Sequence, residues 1–387
     1  MRTVKDLNLK NKRVLVRCDF NVPLNEKGEI QDDFRIQQSL KTINYLIERG
    51  AKIVLMTHLG DPQGRMEEKL SVKRIQEKLA EYLKHPVLWA SDCIGKDVEK
   101  IISKLKEGEV LVLENLRFHP EEKMNDSRFA KELAKLGDIY INDAFGVCHR
   151  EHASIVGLPK YLPSGAGFLL EKEIKVLSRV LENPWRPLVA IIGGAKIESK
   201  TKLIKNLLKK ADHLLIGGKI ANIILLVKKI YVGDPWPEEK IVKEIENIEL
   251  TSTKMHLPVD AVVSLGKEAT VTRVVAPANK KKDEFIFDIG PETINIFSKI
   301  IKEAKMIVWA GPLGFFENPL FEKGTKEIGE VIVRNHKAYK IAGGGDTIFS
   351  LKKFGIRDKF DHVSTGGGAM LSFLSGKKLP GIEALEK

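Results

Sequence analysis

Short runs of β-branched and aliphatic residues alternate along the whole chain with longer stretches of helical periodicity, and this alternation constrains the fold most. In the first half the short runs are RVLVRCDF from Arg13, KIVLMTH from Lys52, PVLWA from Pro86, VLVLENL from Val110 and IYINDAF from Ile139. In the second half they are LVAIIGG from Leu188, HLLIGG from His213, VDAVVS from Val259, MIVWAG from Met306, AYKIAGGG from Ala338 and HVSTGGG from His362. Helical stretches such as RIQQSLKTINYLIERG and SVKRIQEKLAEYLK lie between them. Strands separated by helices predict parallel sheets covered by helices, an α/β fold. About eleven strands are too many for one comfortable open sheet. A chain of 387 residues suffices for about two domains of roughly 150 residues each. The expectation is two doubly wound, Rossmann-like parallel-sheet domains joined by a hinge helix. LPKYLPSGAG opens the linker, a helix is expected from Phe168 to about Leu181, and NPWRP stops it because proline cannot continue a helix. The expected boundaries are 1–165, a linker over 166–186, and 187–375.

Composition excludes some classes. No apolar run reaches the ~20 residues of a membrane helix, and the N-terminus lacks a signal-like apolar segment; a cytoplasmic location is expected. Cys18, Cys93 and Cys148 are odd in number and widely spaced. They fit neither a disulfide framework nor a zinc pattern and read as buried thiols. The net charge is +12 with a pI near 9.3. Most lysines alternate with acids, as in EEKIVKEIENIE, which marks a solvated helix face. The densest basic run, NKKKDEF from Asn279, is short and reads as a loop. A polyanionic small molecule accounts for the charge as well as a nucleic acid does.

In doubly wound folds ligands bind beyond the carboxyl ends of strands, so the residues there are compared. The first half offers Arg17-Cys18-Asp19-Phe20-Asn21, Thr57-His58-Leu59-Gly60, Glu114-Asn115-Leu116-Arg117, Asn142-Asp143-Ala144-Phe145-Gly146 and, shortly after, His149-Arg150-Glu151-His152. These are polar and cationic side chains, suited to a small anion. The second half offers Gly193-Gly194-Ala195-Lys196, Gly217-Gly218-Lys219, Gly311-Pro312, Gly343-Gly344-Gly345-Asp346 and Gly366-Gly367-Gly368. Bare backbone at helix starts suits phosphates. Asp346 would repel a phosphate unless a cation lay between them, and Mg²⁺ takes one or two carboxylates together with phosphate oxygens and water. Gly343-Gly344-Gly345-Asp346-Thr347 therefore reads as a phosphate nest carrying a magnesium ligand. Taken singly, each residue has a duller account. Arg17 and Arg35 read as surface partners of Asp19, Asp32 or Asp33. His58 reads as a core histidine, Asp346 as a helix N-cap, and Trp185, Trp236 and Trp309 as packing residues. His149 and His152 lack a third metal ligand in view. The P-loop signature, G-x-G-x-x-G and G-x-S-x-G are all absent from the sequence.

RCDFNVPL, DDFRI, THLG, LENLRF, NDAFGVCHREHAS, GGAKIESK, PVDAVV, DIGPET, GPLGFFE, GGGDT, STGGGAML and LPGIEAL follow one another from end to end. Together they resemble the phosphoglycerate kinase family over essentially the whole chain. The resemblance implies an N-terminal domain that holds 3-phosphoglycerate or 1,3-bisphosphoglycerate and a C-terminal domain that holds Mg-ADP or Mg-ATP. It implies a tail over 376–387 that returns to the first domain, and reversible transfer of an acyl phosphate to ADP after domain closure, without a phosphoenzyme. Asp19, Asn21, His58, Arg117 and Arg150 match substrate-binding positions. Arg35 matches the transition-state arginine and Lys196 the lysine that meets the migrating phosphoryl group. Lys200 matches a nucleotide-phosphate lysine, Gly217 and Gly218 the adenine pocket, and Glu317 the ribose contact. Gly311, Pro312 and Gly343 to Gly345 match further nucleotide positions, Asp346 and Thr347 the magnesium and phosphate positions, and Gly366, Gly367 and Gly368 the phosphoryl-transfer loop. A monomer without nucleic-acid partners is expected.

Three places depart from that family's pattern: Asp61 stands where arginine is usual, Ala310 where asparagine is usual, and Lys219 and Ile223 interrupt a more glycine-rich stretch. A catalytically weakened homologue that binds nucleotide or nucleic acid is the alternative reading. A nicotinamide dehydrogenase is a third, and the missing G-x-G-x-x-G argues against it.

Overall fold

A computed structural model describes residues 1–195, 197–231 and 235–386. The chain divides into two compact units, Met1–Lys175 with Lys378–Lys387, and Val176–Lys377. The division falls inside the helix Phe168–Glu182.

The first unit holds β1 (Arg13–Arg17), β2 (Lys52–Met56), β3 (Val87–Trp89), β4 (Val110–Val112), β5 (Ile139–Asn142) and β6 (Ser164–Ala166). All pair in parallel in the order β3-β4-β2-β1-β5-β6. Central strands buried on both faces need continuous apolar runs, and β1 and β2 are each buried at four of five positions. Ile36, Ile43 and Leu46 line one side of the helix Phe34–Glu48 and pack against Val14, Val16, Ile53 and Leu55. Strand β6 reads SGA and carries no β-branched residue, so the sequence pattern misses it. From β1 the chain passes to β2 on one side of the sheet, and from β5 to β6 on the other. That reversal opens a crevice at the carboxyl ends of β1 and β5.

The tail helix Pro380–Glu386 belongs to the first unit. The Gly381 amide donates to the Cys148 carbonyl at 2.9 Å. All three cysteines are buried free thiols, as expected.

The second unit holds β7 (Leu188–Ile192), β8 (His213–Ile216), β9 (Met255–His256), β10 (Ala261–Ser264), β11 (Arg273–Val275), β12 (Phe285–Ile289), β13 (Met306–Ala310), β14 (Tyr339–Ala342) and β15 (His362–Val363). Six of them form a parallel sheet in the order β15-β14-β13-β7-β8-β9, whose crevice lies at the ends of β7 and β13. The run VDAVVS departs from the parallel expectation: it supplies β10, the centre of a separate antiparallel sheet ordered β11-β10-β12. The lysine run after Asn279 forms the connection between β11 and β12, closed by Arg273 on Glu284 at 2.6 Å. Trp309 is a packing residue, fully buried, with its indole N–H on the Gly311 carbonyl. Trp185 is 46% exposed and packs edge-on against Tyr339, with ring centroids 5.4 Å apart, and Trp236 is 57% exposed.

Asp143, just beyond β5, caps the start of the helix Phe168–Glu182. One carboxylate oxygen accepts from the amides of Leu169 and Leu170 at 2.9 and 3.3 Å. A side chain on Gly167 would collide with that carboxylate. Burial pushes the Asp143 carboxyl up to about 6, against the opposing hydrogen bonds from Thr42 and the two amides. A carboxyl raised in the folded state contributes its full stability only below its unfolded value and loses it as pH rises through about 6. Asp143→Asn keeps an acceptor for the amides and removes the titration. Its unfolding midpoint, relative to the parent, is expected to climb between pH ~4 and ~6.5 and then level off, reaching about 3 kcal/mol. Chemical denaturation of both proteins across that range checks it, and a pH-independent difference contradicts it.

Candidate active site

In the first unit the loops after β1, β2, β4 and β5 bring their polar side chains together. The Asp19 carboxylate is buried and takes Arg35 Nη1 at 3.2 Å. Arg35 also donates to the Asn21 carbonyl at 2.9 Å. Asn21 Oδ1 accepts from the Gly60 amide at 2.8 Å, which fastens the first loop to the second. Gly60 itself has φ +63°, and a Cβ there would stand 2.8 Å from Leu70, so the position requires glycine. Asn115 shapes the third loop. Its side-chain amide donates to the carbonyls of Leu59 and Leu70, and its oxygen accepts from the Arg117 amide.

Arg117 then donates Nη1 to the Gly60 carbonyl at 2.7 Å, while its Nε and Nη2 are buried with no hydrogen-bond partner. Nδ1 of His149 and of His152 is likewise buried without one. Arg150 stands exposed beside His149. Asp19, Asn21, His58, Arg117 and Arg150 are thus carried by the segments that follow the carboxyl ends of β1, β2, β4 and β5, and Arg35 by the first turn of the helix Phe34–Glu48.

Arg17 corrects the surface reading: it is fully buried. Its Nε donates to Ser154 Oγ at 2.8 Å, its Nη1 to the Cys18 carbonyl, and its Nη2 meets His58 Nδ1 at 3.1 Å. The Glu122 carboxylate lies 4.0 Å away and accepts from the amide and hydroxyl of Ser154. The sequence reading missed Glu122 and Ser154, since neither belongs to a strand end and they lie 32 residues apart.

Burial, followed by Arg17, Arg117, Arg35 and Arg150, holds His58 well below the usual histidine range. Burial and then Arg17, Arg117 and Arg150 bring His152 down to about 3. Burial and then Arg150 and Arg17 lower Arg117 to about 10, so it keeps its charge at neutral pH. The histidines are therefore neutral and the arginines carry the charge. An anion with several oxygens satisfies such an arrangement.

The second unit offers a cavity of about 690 Å³, lined by Gly194, Gly218, Pro312, Glu317 and Asp346 among the expected residues. Its apolar wall includes Ile223, Leu226, Trp236, Phe285 and Leu313, of which only Leu313 belongs to a quoted motif, GPLGFFE. The strand-end glycines divide into two kinds. At Gly193, Gly217, Gly218 and Gly311 backbone meets backbone or the Leu313 side chain. The Gly194 amide donates to the Pro312 carbonyl at 2.6 Å and the Gly218 amide to the Leu313 carbonyl at 2.9 Å. A Cβ on Gly218 would stand 2.5 Å from the Gly194 nitrogen. Gly343 is required by Met370, against which a Cβ would collide. Gly345 instead faces open space, and the helices Gly345–Lys353 and Gly367–Leu374 start side by side, a Cβ on Gly367 lying 3.4 Å from the Gly345 nitrogen. Gly366 and Gly368 flank that second start.

Lys200 is buried and donates to the Gly193 carbonyl. Thr347 is buried and accepts from the Gly311 amide at 2.7 Å. Lys196 lies outside the described residues. The carboxylates on the cavity differ in kind. Asp288 accepts from the amides of Ile289 and Gly324, and burial pushes it up to about 8, so it is protonated at neutral pH and structural. Asp346 is exposed at the first turn of its helix and is free to take a cation. One carboxylate beside bare amides is a donor set that Mg²⁺ accepts when phosphate oxygens and water complete it. Elsewhere, Asp92, Cys93 and His119 approach within 4.8 Å. His119 on Asp92 at 2.6 Å and the thiol on the Glu114 carbonyl account for that cluster.

The family model described as Phosphoglycerate kinase matches residues 4–377. The curated phosphoglycerate kinase of Dictyoglomus turgidum is 46% identical over 388 residues, covering 99% of this chain and 98% of that one. The corresponding protein of Aquifex aeolicus is 44% identical, covering 100% and 98%. Among solved structures, phosphoglycerate kinase from Pyrococcus horikoshii superposes with a TM-score of 0.88 at 36% identity, covering 100% of this chain and 98% of that one. The Coxiella burnetii phosphoglycerate kinase superposes with a TM-score of 0.86 at 37% identity, covering 99% and 98%. The strand-end chemistry, the two parallel sheets and these full-length likenesses lead to one conclusion: the chain belongs to the phosphoglycerate kinase family.

Proposed function

We propose that the chain is a phosphoglycerate kinase, which moves the acyl phosphate of 1,3-bisphosphoglycerate to ADP, reversibly, giving 3-phosphoglycerate and ATP. The observation that carries this reading is the Arg117 guanidinium, with two buried donors unmade among neighbouring arginines. Buried donors without partners cost free energy, and a phosphate or carboxylate of the triose supplies the missing acceptors. Asp19 and Asn21 hold Arg35 and the Gly60 loop in place for it. His58, neutral, offers a hydrogen bond rather than a charge.

The second unit is proposed to take the nucleotide. The apolar wall of the cavity suits a flat base, Glu317 a ribose hydroxyl, and the paired helix starts at Gly345 and Gly367 the phosphates. Lys200 sits beneath the Gly193 to Gly194 turn for the same phosphates. Asp346 would hold Mg²⁺, which when bound offsets phosphate charge. A phosphoryl group in flight spreads charge over its equatorial oxygens, so the protein's contribution is positioning and fixed positive charge. Arg35 and Lys196 are the proposed donors. Excluding water protects the acyl phosphate from hydrolysis.

A coupled assay with Mg-ADP and 1,3-bisphosphoglycerate tests the activity. No turnover by folded protein contradicts it. Arg35→Ala and Lys196→Ala are each expected to lower kcat by about 10²–10³-fold with the unfolding midpoint retained, and near-parental kcat in either removes that residue from the role. Inorganic sulfate, as a minimal oxyanion, is expected to raise the thermal midpoint of the parent by offsetting the buried arginines. Arg117→Gln should abolish most of that rise; an equal rise in parent and variant assigns the anion elsewhere.

A further inference from the structure

One carboxylate stands on the rim of the arginine cluster. Asp61 follows Gly60, whose amide donates to Asn21 and whose carbonyl accepts from Arg117, so its backbone is part of the cluster's frame. Lys123 first, and then Arg117 and Arg150 by charge alone, hold the Asp61 carboxyl below the usual carboxylate range. Lys123 Nζ donates to both oxygens, at 3.0 and 3.1 Å. Lys123 lies on the short helix Pro120–Met124. Its neighbour Glu122 points the other way, into the buried contacts with Ser154 and Arg17. The loop after Asp61 packs back on the same helix, a Cβ on Gly64 standing 2.9 Å from Pro120. Both partners are therefore held from below.

The side chains are 36% and 44% exposed, and an ion pair so exposed adds little to stability. Its effect on an incoming anion is larger. The cluster attracts an anion, and an unpaired carboxylate within a Debye length of it, about 8–10 Å, opposes that attraction. Lys123 cancels the opposition without itself having to touch the ligand.

We infer that Lys123 is a positioning residue for the phosphoglycerate site: by holding Asp61 in an ion pair it removes the repulsion of this carboxylate toward the anionic substrate, and the pair sets the affinity of the site. The inference rests on the proposed role of the first unit. Asp61 then acts as a built-in brake on anion binding, and Lys123 determines how far the brake is applied.

The test is a double-mutant cycle on the full chain, K123M, D61N and K123M/D61N, with steady-state kinetics at low ionic strength. K123M is expected to raise KM for 3-phosphoglycerate about fivefold or more, with kcat and the nucleotide KM within about twofold of the parent. D61N is expected to leave that KM at or below the parental value. The double variant is expected to return to within about twofold of the parent, because the carboxylate that needed screening is gone. About 0.5 M salt should shrink the K123M effect. A double variant as impaired as K123M overturns the inference, since Lys123 would then contact substrate directly. A parental KM in K123M overturns it, as does a loss shared by kcat and both KM values. If the parent does not turn over 3-phosphoglycerate, the functional reading fails. Calorimetry with inorganic phosphate then decides the inference: weaker binding by K123M, recovered in the double variant, supports it, and equal binding by all four proteins refutes it.

Discussion

Arg17 is a fully buried cation, and the first unit is organised around tolerating it. Such a charge is costly unless hydrogen bonds and an opposite charge accompany it. Ser154, the Cys18 carbonyl and Glu122 meet that requirement from three separate parts of the chain. The contact with His58 carries the effect outward, helping to keep that ring neutral. Arg117, Arg150 and Arg35 then add charge in front of a base that is already positive. Repulsion among them is left standing in the free protein and is relieved by an anion. In the proposed reading, the affinity of the site is stored in the fold as unmade donors and unneutralised charge.

The second unit is built differently at its strand ends. Its cavity offers apolar walls and the exposed carboxylates of Glu238, Glu317 and Asp346, with Lys219 and Lys267 as the cationic side chains on its described lining, and Asp346 stands on one of two adjacent helix starts. Backbone amides carry partial charge and no side-chain entropy, so they suit a ligand that must enter and leave each turnover. Burial pushes the Asp288 carboxyl up, whereas Asp346 is exposed at the first turn of its helix. In the proposed reading the two units divide the work: arginines would hold the small acid, and amides with a metal position the larger phosphate donor.

Much of this was legible in the sequence. The alternation of runs led to parallel sheets, and the difference between polar and glycine-rich strand ends separated the two kinds of site. Three things were not legible. Arg17 reads as a surface residue because its partner Ser154 lies 137 residues away. The glycines at 193, 217, 218 and 311 read like those at 344 and 345, yet the first group is needed where strand-end loops touch, Gly344 for its φ of +103°, and Gly345 alone of these faces open space. The antiparallel sheet around Ala261–Ser264 was hidden because its partner strands flank a lysine run that reads as a loop. Motifs report which residues occur at strand ends; close approach and burial are properties of the fold.

The central claim is that arginine side chains bind one ligand and glycine amides the other. Nuclear magnetic resonance on protein labelled with ¹⁵N-glycine and ¹⁵N-arginine tests it most directly. The account predicts that Mg-ADP shifts the amides of Gly344, Gly345 and Gly366 to Gly368 and leaves the Arg117 and Arg150 Nε–H signals in place. It predicts that 3-phosphoglycerate alone does the reverse. If 3-phosphoglycerate moves those glycine amides and spares the arginines, or both ligands perturb one common set, the division of labour is contradicted.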